Sequence, residues 1–432
     1  MSSLIVESLD QEGRGVARRD GKAVFIEGAL PGETVTYSPY RKKSTYEIAT
    51  LGKVLKQSAQ RVAPRCRYFG LCGGCSLQHL DARAQVAIKQ RVLEDSLWHI
   101  GRVRPEQILP AIHGPTWGYR HRARLAARYV PKKGGALVGF HEKRSSYIAD
   151  MGSCEVLPDR LSALLRPLRD LVGALSIRSR LPQVEIAVGE EADVLVLRVL
   201  EQPSDGDTVL LRKFAARHGA RLYLQQGGPE TAAPMSPADE VDLYYSLPEY
   251  DLQIRFGPTD FTQVNHAVNR VLVRRALALL DPQPGERVAD MFCGVGNFSL
   301  AIARRGATVV GVEGSSGLVV RAADNATANG LSALASFVEM DLYRLHDSGL
   351  AGLGRFERML LDPPREGAVE VVKALPEDGP RRLVYVSCSP GTLARDAGVL
   401  TQTRGYRLSA AGVVNMFPHT SHVESIAVFE KN

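Results

Sequence analysis

The sequence predicts an α/β protein in three parts: a small OB-like β barrel over residues 1–60, a central and mostly-β region over 61–254, and a C-terminal doubly wound sheet over 255–432. Three observations predict it. Short apolar runs separated by Gly and Pro turns fill the first sixty residues. Four of the six cysteines, Cys66, Cys72, Cys75 and Cys154, fall in the middle stretch. Beyond Arg255, strand-like and helix-like patterns alternate, as they do when helices cover both faces of a parallel sheet.

In the first part the runs Leu4-Ile5-Val6, Ala23-Val24-Phe25-Ile26, Thr34-Val35-Thr36-Tyr37 and Tyr46-Glu47-Ile48-Ala49 are punctuated by turns such as Pro31-Gly32. Five-stranded barrels of this size often hold oligonucleotides, and Arg41-Lys42-Lys43 sits on one connection. In the second part, apolar spacing predicts helices over Ala82–Leu97, expected to pack on the C-terminal part, and over Leu161–Ala174. Val184–Val188 and Asp193–Leu197 read as strands, and Gly227–Pro237 as a surface loop. In the third part a helix over Val264–Leu280 stops at Asp281-Pro282-Gln283-Pro284-Gly285. Strands are expected at Arg287–Phe292, Thr308–Val312, Ser336–Met340, Arg358–Leu361, Arg382–Val386, Arg407–Val414 and Glu424–Phe429. Helices are expected at Asn297–Arg305, Gly317–Asn329, Val369–Ala374 and Thr392–Thr401.

Bulk properties narrow the classes. The chain has 432 residues, 44% hydrophobic and 23% charged, ordinary for a globular protein. No apolar run approaches a membrane span, and Met1–Asp10 carries acids without a basic start and apolar stretch. A cytoplasmic protein with no membrane association is therefore expected, and no obligate protein partner is evident. The formal charge is +7, and Gly101–Ser145 alone holds ten lysines and arginines against two acids. Such an excess suits a polyanion, though an ordinary solvated surface carries it equally well.

Val288–Phe298 reads as a strand, a turn with Gly294 and Gly296, and a helix start, a Rossmann-like arrangement whose glycines let backbone approach a ligand. Glu313 ends the next strand, where a carboxylate accepts ribose hydroxyls; Asp341 closes the third, where a side chain can meet adenine. Ser299 stands where a diphosphate fingerprint wants its third glycine, so S-adenosylmethionine fits better than a nicotinamide dinucleotide.

Two further strand ends carry reactive groups. Pro363 and Pro364 stop one strand and hold Asp362 at its edge. Cys388 leaves the strand Val384-Tyr385-Val386 just before a helix, whose N-terminus is expected to lower the thiol pKa. A thiolate adding to carbon 6 of uracil makes carbon 5 an enolate carbon able to take a methyl group from a sulfonium. A base must then remove the carbon-5 proton, and Glu424, opening the last strand, is the candidate; a structural glutamate at a strand start is the alternative.

Together Phe261-Thr262-Gln263-Val264-Asn265, the Asp290–Phe298 loop, Asp362-Pro363-Pro364-Arg365, Ser387-Cys388-Ser389-Pro390 and His422-Val423-Glu424-Ser425 resemble the RNA uracil-5-methyltransferase family. The resemblance implies that Cys388 is the nucleophile and Glu424 the proton-abstracting base. It implies that Gln263, Phe292, Asn297, Glu313, Asp341 and Asp362 line the pocket for cofactor and uracil, with Asp362 equally able to touch the uracil edge.

Cys66, Cys72, Cys75 and Cys154 offer four thiolates, which suit tetrahedral zinc or an iron–sulfur cube. Zinc ribbons usually show two paired knuckles, and this chain has one pair. Resemblance to the branch acting on large-subunit ribosomal RNA implies a 4Fe–4S cluster. The first sixty residues, best at Gly13-Arg14-Gly15-Val16-Ala17, resemble a TRAM domain. Barrel and cluster together resemble the branch that methylates 23S ribosomal RNA at one uridine. The same chemistry on tRNA or another ribosomal uridine is the nearest alternative, and a non-catalytic RNA-binding assembly factor is the alternative in another class. A buried uridine must be extruded to react, and Trp117, Tyr119 and Tyr129 among the basic residues suit base stacking or, equally, a core strand pair.

Overall fold

The computed structural model describes residues 3–345 and 347–431. At the N-terminus, β1 (Ser3–Ile5), β2 (Ser8–Leu9), β3 (Gly15–Arg19), β4 (Lys22–Glu27), β5 (Thr34–Lys42) and β6 (Tyr46–Lys56) form one sheet in the order β1-β5-β6-β4-β3-β2. The β1–β2 segment borders both edges: β1 pairs with β5, β2 with β3, and the Glu7 N–H bonds the Val16 carbonyl, so the sheet closes on itself. Alternate side chains, Val6, Ala17, Val24, Ile26, Val35 and Ala49, fill its interior. Arg61, just beyond the last strand, donates to the buried Glu33 carboxylate at 2.6 Å and ties the exit of the chain back to the sheet.

Two elements of the middle stretch leave it for the C-terminal part. Helix α1 (Ala82–Ser96) is capped by Asp81, whose carboxylate accepts from the Arg83 and Ala84 amides. It continues as a π-helical turn (Leu97–Gly101). A Cβ on Gly101 would overlap the Ala394 carbonyl, so only glycine permits this close approach. Strand β7 (Gln107–Ile108) then joins the C-terminal sheet.

The remaining central elements are β8 (Arg122–Val130), β9 (Gly135–Gly139), α2 (Asp159–Ser162), α3 (Leu165–Ala174), β10 (Gln183–Val188), β11 (Asp193–Arg198), α4 (Asp205–His218), β12 (Arg221–Gln225) and β13 (Ala233–Pro234). The sheet order is β13-β12-β11-β10-β8-β9. The expectation of a mostly-β region needs correcting: α3 and α4 together cover the sheet through Leu168, Val172, Leu211 and Phe214. Helix α4 is hard to read because its apolar stripe is short; a capping box between Ser204 and Asp207 starts it.

A hairpin of β14 (Tyr244–Leu247) and β15 (Leu252–Arg255) leads into the C-terminal part. There follow α5 (His266–Leu280), β16 (Arg287–Met291), α6 (Ser299–Arg304), β17 (Thr308–Glu313), α7 (Ser316–Ala328), β18 (Ala335–Glu339), α8 (Asp347–Gly352), β19 (Arg358–Leu361), α9 (Val369–Lys373), β20 (Arg382–Ser387), α10 (Pro390–Thr403), β21 (Tyr406–Val414) and β22 (Glu424–Lys431). Every expected strand and helix of this part forms, with ends shifted by a residue or two, except that α6 is shorter at its start because the glycine turn runs on to Phe298. The sheet order is β18-β17-β16-β19-β20-β22-β21-β7, parallel from β18 to β20, with β22 reversed between β20 and β21. The parallel strands β16, β17, β19 and β20 are mostly apolar, as burial on both faces requires. Among the described residues, no helix is long and apolar enough to cross a membrane.

Candidate active site

The carboxyl ends of β16 to β19 form the crevice where ligands of such sheets bind. After Met291 the backbone turns through positive φ at Phe292 (64°), Gly294 (55°) and Gly296 (91°), which swings the loop clear of the strand. Asn297 locks the loop from outside: its carboxamide exchanges hydrogen bonds of 2.9 and 3.1 Å with Asn269 and accepts one of 2.9 Å from the Tyr245 hydroxyl. Its side chain therefore shapes the turn. Ser299 donates to Asp290 at 2.5 Å beneath the loop. Glu313, at the end of β17, accepts the Gly294 and Ser315 amides, each at 3.1 Å. Asp341, just past β18, is exposed and accepts the Tyr343 amide at 3.0 Å. The Phe292 and Tyr343 rings lie 5.7 Å apart.

Asp362 ends β19, and the Gln263 carboxamide approaches its carboxylate at 3.5 Å. Burial, reinforced by Asp290, pushes Asp362 up to about 7; burial likewise pushes Asp290 up to about 7. On the next strands Ser387 and Ser425 are direct partners, and the Ser425 hydroxyl donates to the Ser387 carbonyl at 3.3 Å. Cys388 directly follows this pair on one side and Glu424 directly precedes it on the other, close enough for the two to act on one another electrostatically. Cys388 is half-buried, and Glu424 is only 2% exposed. Burial, then the neighbouring Asp362 carboxylate, raise Glu424 well above the usual carboxylate range, against the pull of Lys89.

The expected lowering of the Cys388 thiol is overturned. Burial first, then Glu424 and Asp362, push it up to about 12, and Arg365 opposes them only weakly. Helix α10 does begin here, but Ser389 already caps its Thr392 amide and Pro390 has no amide to offer, so the helix end faces the thiol with little unsatisfied charge.

The loop from Asn415 to Val423 joins β21 to Glu424 and is held from below by α1 and the cysteine-bearing loop. His419, at φ 65°, gives its amide to the buried Gln85 carboxamide at 2.8 Å. Its carbonyl takes the Ser76 and Leu77 amides, both at 2.9 Å. Lys89, also buried, donates to the Asn415 side chain and the Phe417 carbonyl, each at 2.8 Å. Ser76 Oγ accepts the Ser421 amide at 2.9 Å.

Cys66, Cys72, Cys75 and Cys154 line one narrow cavity with Tyr68, Phe140 and Met151. Burial raises the thiols of Cys72, Cys75 (to about 11) and Cys154 (to about 12). Among the described residues, no group of three or more His, Cys, Asp or Glu converges on a point where one metal ion would sit.

The aromatic residues of the basic segment serve the fold. Tyr119 is buried and donates to the Pro418 carbonyl at 3.0 Å, Trp117 stacks on His419 at 3.8 Å, and Tyr129 packs under Arg178. Stacking of an RNA base on Trp117 or Tyr119 is thereby corrected; of the cations, Arg102, Arg104, Arg124, Arg128, Lys132, Lys133 and Arg144 are exposed.

Against known proteins, residues 237–432 match the family model described as tRNA (Uracil-5-)-methyltransferase, and residues 3–36 match the TRAM domain. The 23S rRNA (uracil(1939)-C(5))-methyltransferase of Nitrosospira multiformis is 61% identical over 430 residues, covering 99% of this chain and 98% of that protein. The chain belongs to the RNA uracil-C5-methyltransferase family. It is thus an S-adenosylmethionine-dependent methyltransferase with an N-terminal TRAM domain. The protein of the same description from Dechloromonas aromatica is 60% identical, covering 98% of both chains. The crystal structure of Pyrococcus abyssi tRNA (uracil-54, C5)-methyltransferase with S-adenosyl-L-homocysteine shares the fold, with a TM-score of 0.77 over 99% of each chain at 23% identity.

For this uracil-C5-methyltransferase, sequence reasoning had singled out the strand-end residues but missed Gln85 and Lys89. Their signal is present in retrospect: Gln85, Lys89, Leu93 and Leu97 recur every fourth residue, which puts two polar side chains on the buried stripe of α1.

Proposed function

We propose that the chain methylates carbon 5 of the uridine numbered 1939 in 23S ribosomal RNA, through a covalent adduct between Cys388 and carbon 6 of the uracil. The observation that carries the mechanism is the pair Cys388 and Glu424 beside the strand ends that hold the cofactor. The bound cofactor supplies an electrophilic methyl group. Cys388 Sγ gives up its proton to solvent water and adds to carbon 6, the electron pair of the 5,6 double bond moving to carbon 5 and the carbon-4 carbonyl. Carbon 5 then takes the methyl group. Glu424 removes the carbon-5 proton, the double bond re-forms, and the sulfur leaves carbon 6. Asp362 and Gln263, held together beside the crevice, receive the polar edge of the uracil. Phe292, Asn297, Glu313 and Asp341 border the cofactor, Asn297 by fixing the loop backbone.

The thiol Cys388 of the ligand-free site fits an enzyme that makes its nucleophile only on a bound uracil: a permanent thiolate beside a sulfonium invites alkylation of the enzyme itself. The four central cysteines line one cavity, and the resemblance to the branch acting on large-subunit ribosomal RNA supports a 4Fe–4S cluster there over zinc. We assign the closed N-terminal sheet to RNA binding, as in OB-like barrels, and the protein to the cytoplasm, where ribosomal RNA is processed. Mass spectrometry of 23S RNA from cells lacking this protein tests the target: the uridine is unmethylated without it and methylated again when the gene is restored, whereas unchanged methylation rejects the assignment.

A further inference from the structure

The β21–β22 hairpin closes at the pair Val414–Glu424, and the nine residues beyond it return without a strand partner of their own. A loop of that length would leave the first residue of β22 loosely placed. Helix α1 prevents this. Lys89 reaches into the mouth of the hairpin, with its ammonium on Asn415, the residue after Val414, and on the Phe417 carbonyl. Gln85, one turn earlier, fills the far end with four bonds to Leu77, Leu80 and His419. Residues directly opposed across antiparallel strands have Cα atoms about 5 Å apart, so the Asn415 end of the loop places the ammonium close behind Glu424.

A buried ammonium normally has a carboxylate bonded to it, because an isolated buried charge is costly. Lys89 is 1% exposed and has two neutral oxygens. The acid it senses is Glu424; the other charged or titratable groups around the pair are His419 and His422 on the loop, Asp362, Arg365 and Cys388 across the crevice, and Arg120 from the central part. Asp362 opposes an ionised Glu424, and Lys89 favours it.

We propose that Lys89 is a positioning residue of the reaction: from α1 it fixes the loop that delivers Glu424 and puts a positive charge behind that carboxyl, so that it serves as the acceptor of the carbon-5 proton. Lys89 touches neither the uracil nor the cofactor crevice. It acts through Glu424, and the inference rests on the role given to Glu424 above. Burial brings the ammonium down to about 7, which makes the charge of the pair responsive to the neighbouring carboxylates and to pH near neutrality.

The test uses the full-length enzyme and a 23S RNA fragment bearing either uridine or 5-fluorouridine at the target. Lys89→Gln keeps donors for Asn415 and Phe417 and removes the charge. It should still form the fluorouridine adduct at close to the wild-type rate. On ordinary RNA it should accumulate methylated protein–RNA adduct and turn over about tenfold more slowly or less. With the charge gone Glu424 binds its proton more tightly, so the acid limb of the turnover–pH profile should move up by about one unit. Lys89→Arg keeps the charge and should hold the limb in place; Gln85→Leu cuts neighbouring bonds without altering charge and should lose rate without moving the limb. If adduct formation and turnover fall together in Lys89→Gln with the limb unmoved, or if nothing changes, the proposal is overturned. If Lys89→Gln does not fold, Lys89→Arg decides: a displaced limb or accumulated adduct there rejects it. Absence of adduct in the wild type, or full turnover in Glu424→Gln, defeats the covalent reading itself, whereas a wild-type adduct with an unmoved Lys89→Gln limb defeats only this inference.

Discussion

Cys388 directly follows Ser387 and Glu424 directly precedes Ser425, its antiparallel partner, so thiol and carboxyl come together at one end of the β20–β22 pair, where Glu424 acts on the Cys388 thiol. The geometry places a nucleophile and a base at one point, to act on carbons 6 and 5 of a single ring. It also makes an ionised Cys388 unfavourable, since Glu424 raises the cost of negative charge on the thiol.

Replacing the base separates the two halves of the reaction. Glu424→Gln should add its thiol to RNA and transfer the methyl group, then stall. Methylated adduct should build up on denaturing gels with turnover lower by about 10²–10⁴-fold, the usual range for a lost general base. Unimpaired turnover removes Glu424 from its role.

The resting thiol should be slow to alkylate. With Cys388 pushed up to about 12, iodoacetamide labelling of its peptide should climb with pH through 10 and show no plateau near 8. Glu424→Gln removes one of the two carboxylates responsible, so labelling at pH 8 should be several-fold faster. A plateau near pH 8 in the wild type contradicts the picture of a thiol held protonated.

Asp290 makes the fold weaker between about pH 4 and 7, where the unfolded chain gives up a proton that the folded protein keeps. Its pKa is raised from 3.8 to about 7 by burial, so the native state holds a proton that the unfolded chain releases. Stability is full below about pH 4 and declines as pH rises through 7. Asp290→Asn, which still accepts from Ser299, should therefore be more stable than the wild type at pH 8, by about 1–3 kcal/mol, with little difference at pH 4. Calorimetry at the two pH values checks the sign.

The cysteine loop and the loop before Glu424 share backbone hydrogen bonds, Ser76 and Leu77 to the His419 carbonyl. Cys75→Ser should lose iron, measured by metal analysis. It should also speed hydrogen exchange at Ser76, Leu77 and Ser421, whose amides bond across that junction. Unchanged exchange at Ser421 would mean that the two loops are independent.

The parallel part of the C-terminal sheet was legible because its strands are short apolar runs, and the residues just beyond them are those proposed for the site: Gly294, Glu313, Asp341, Asp362, Cys388. Parallel packing makes the pattern and the crevice one feature. What escaped depends on distant chain. Strand β7 is two residues long and exists only because β21 offers an edge. Helix α4 is mostly polar on its surface. Lys89 and Gln85 are 326 and 334 residues from the loop they bind, Lys89 bonding Asn415 and Gln85 bonding His419, and no local pattern links them. Trp117 and Tyr119 were aromatic residues among arginines, yet they pack against the Pro418–His419 turn, a contact set by the tertiary fold. The thiol of Cys388 was misjudged because helix ends are visible in sequence and neighbouring buried carboxylates are not.

The central claim is that Cys388 bonds to carbon 6 of the target uracil. Full-length enzyme, S-adenosylmethionine and a 23S RNA fragment with 5-fluorouridine at the target should give a denaturation-resistant complex, because fluorine cannot be removed from carbon 5 as a proton. Tandem mass spectrometry should place the nucleotide on Cys388, and Cys388→Ala should give no complex and no methylated product on ordinary RNA. A Cys388→Ala enzyme that still methylates uridine, or a crosslink mapped to another residue, would contradict it.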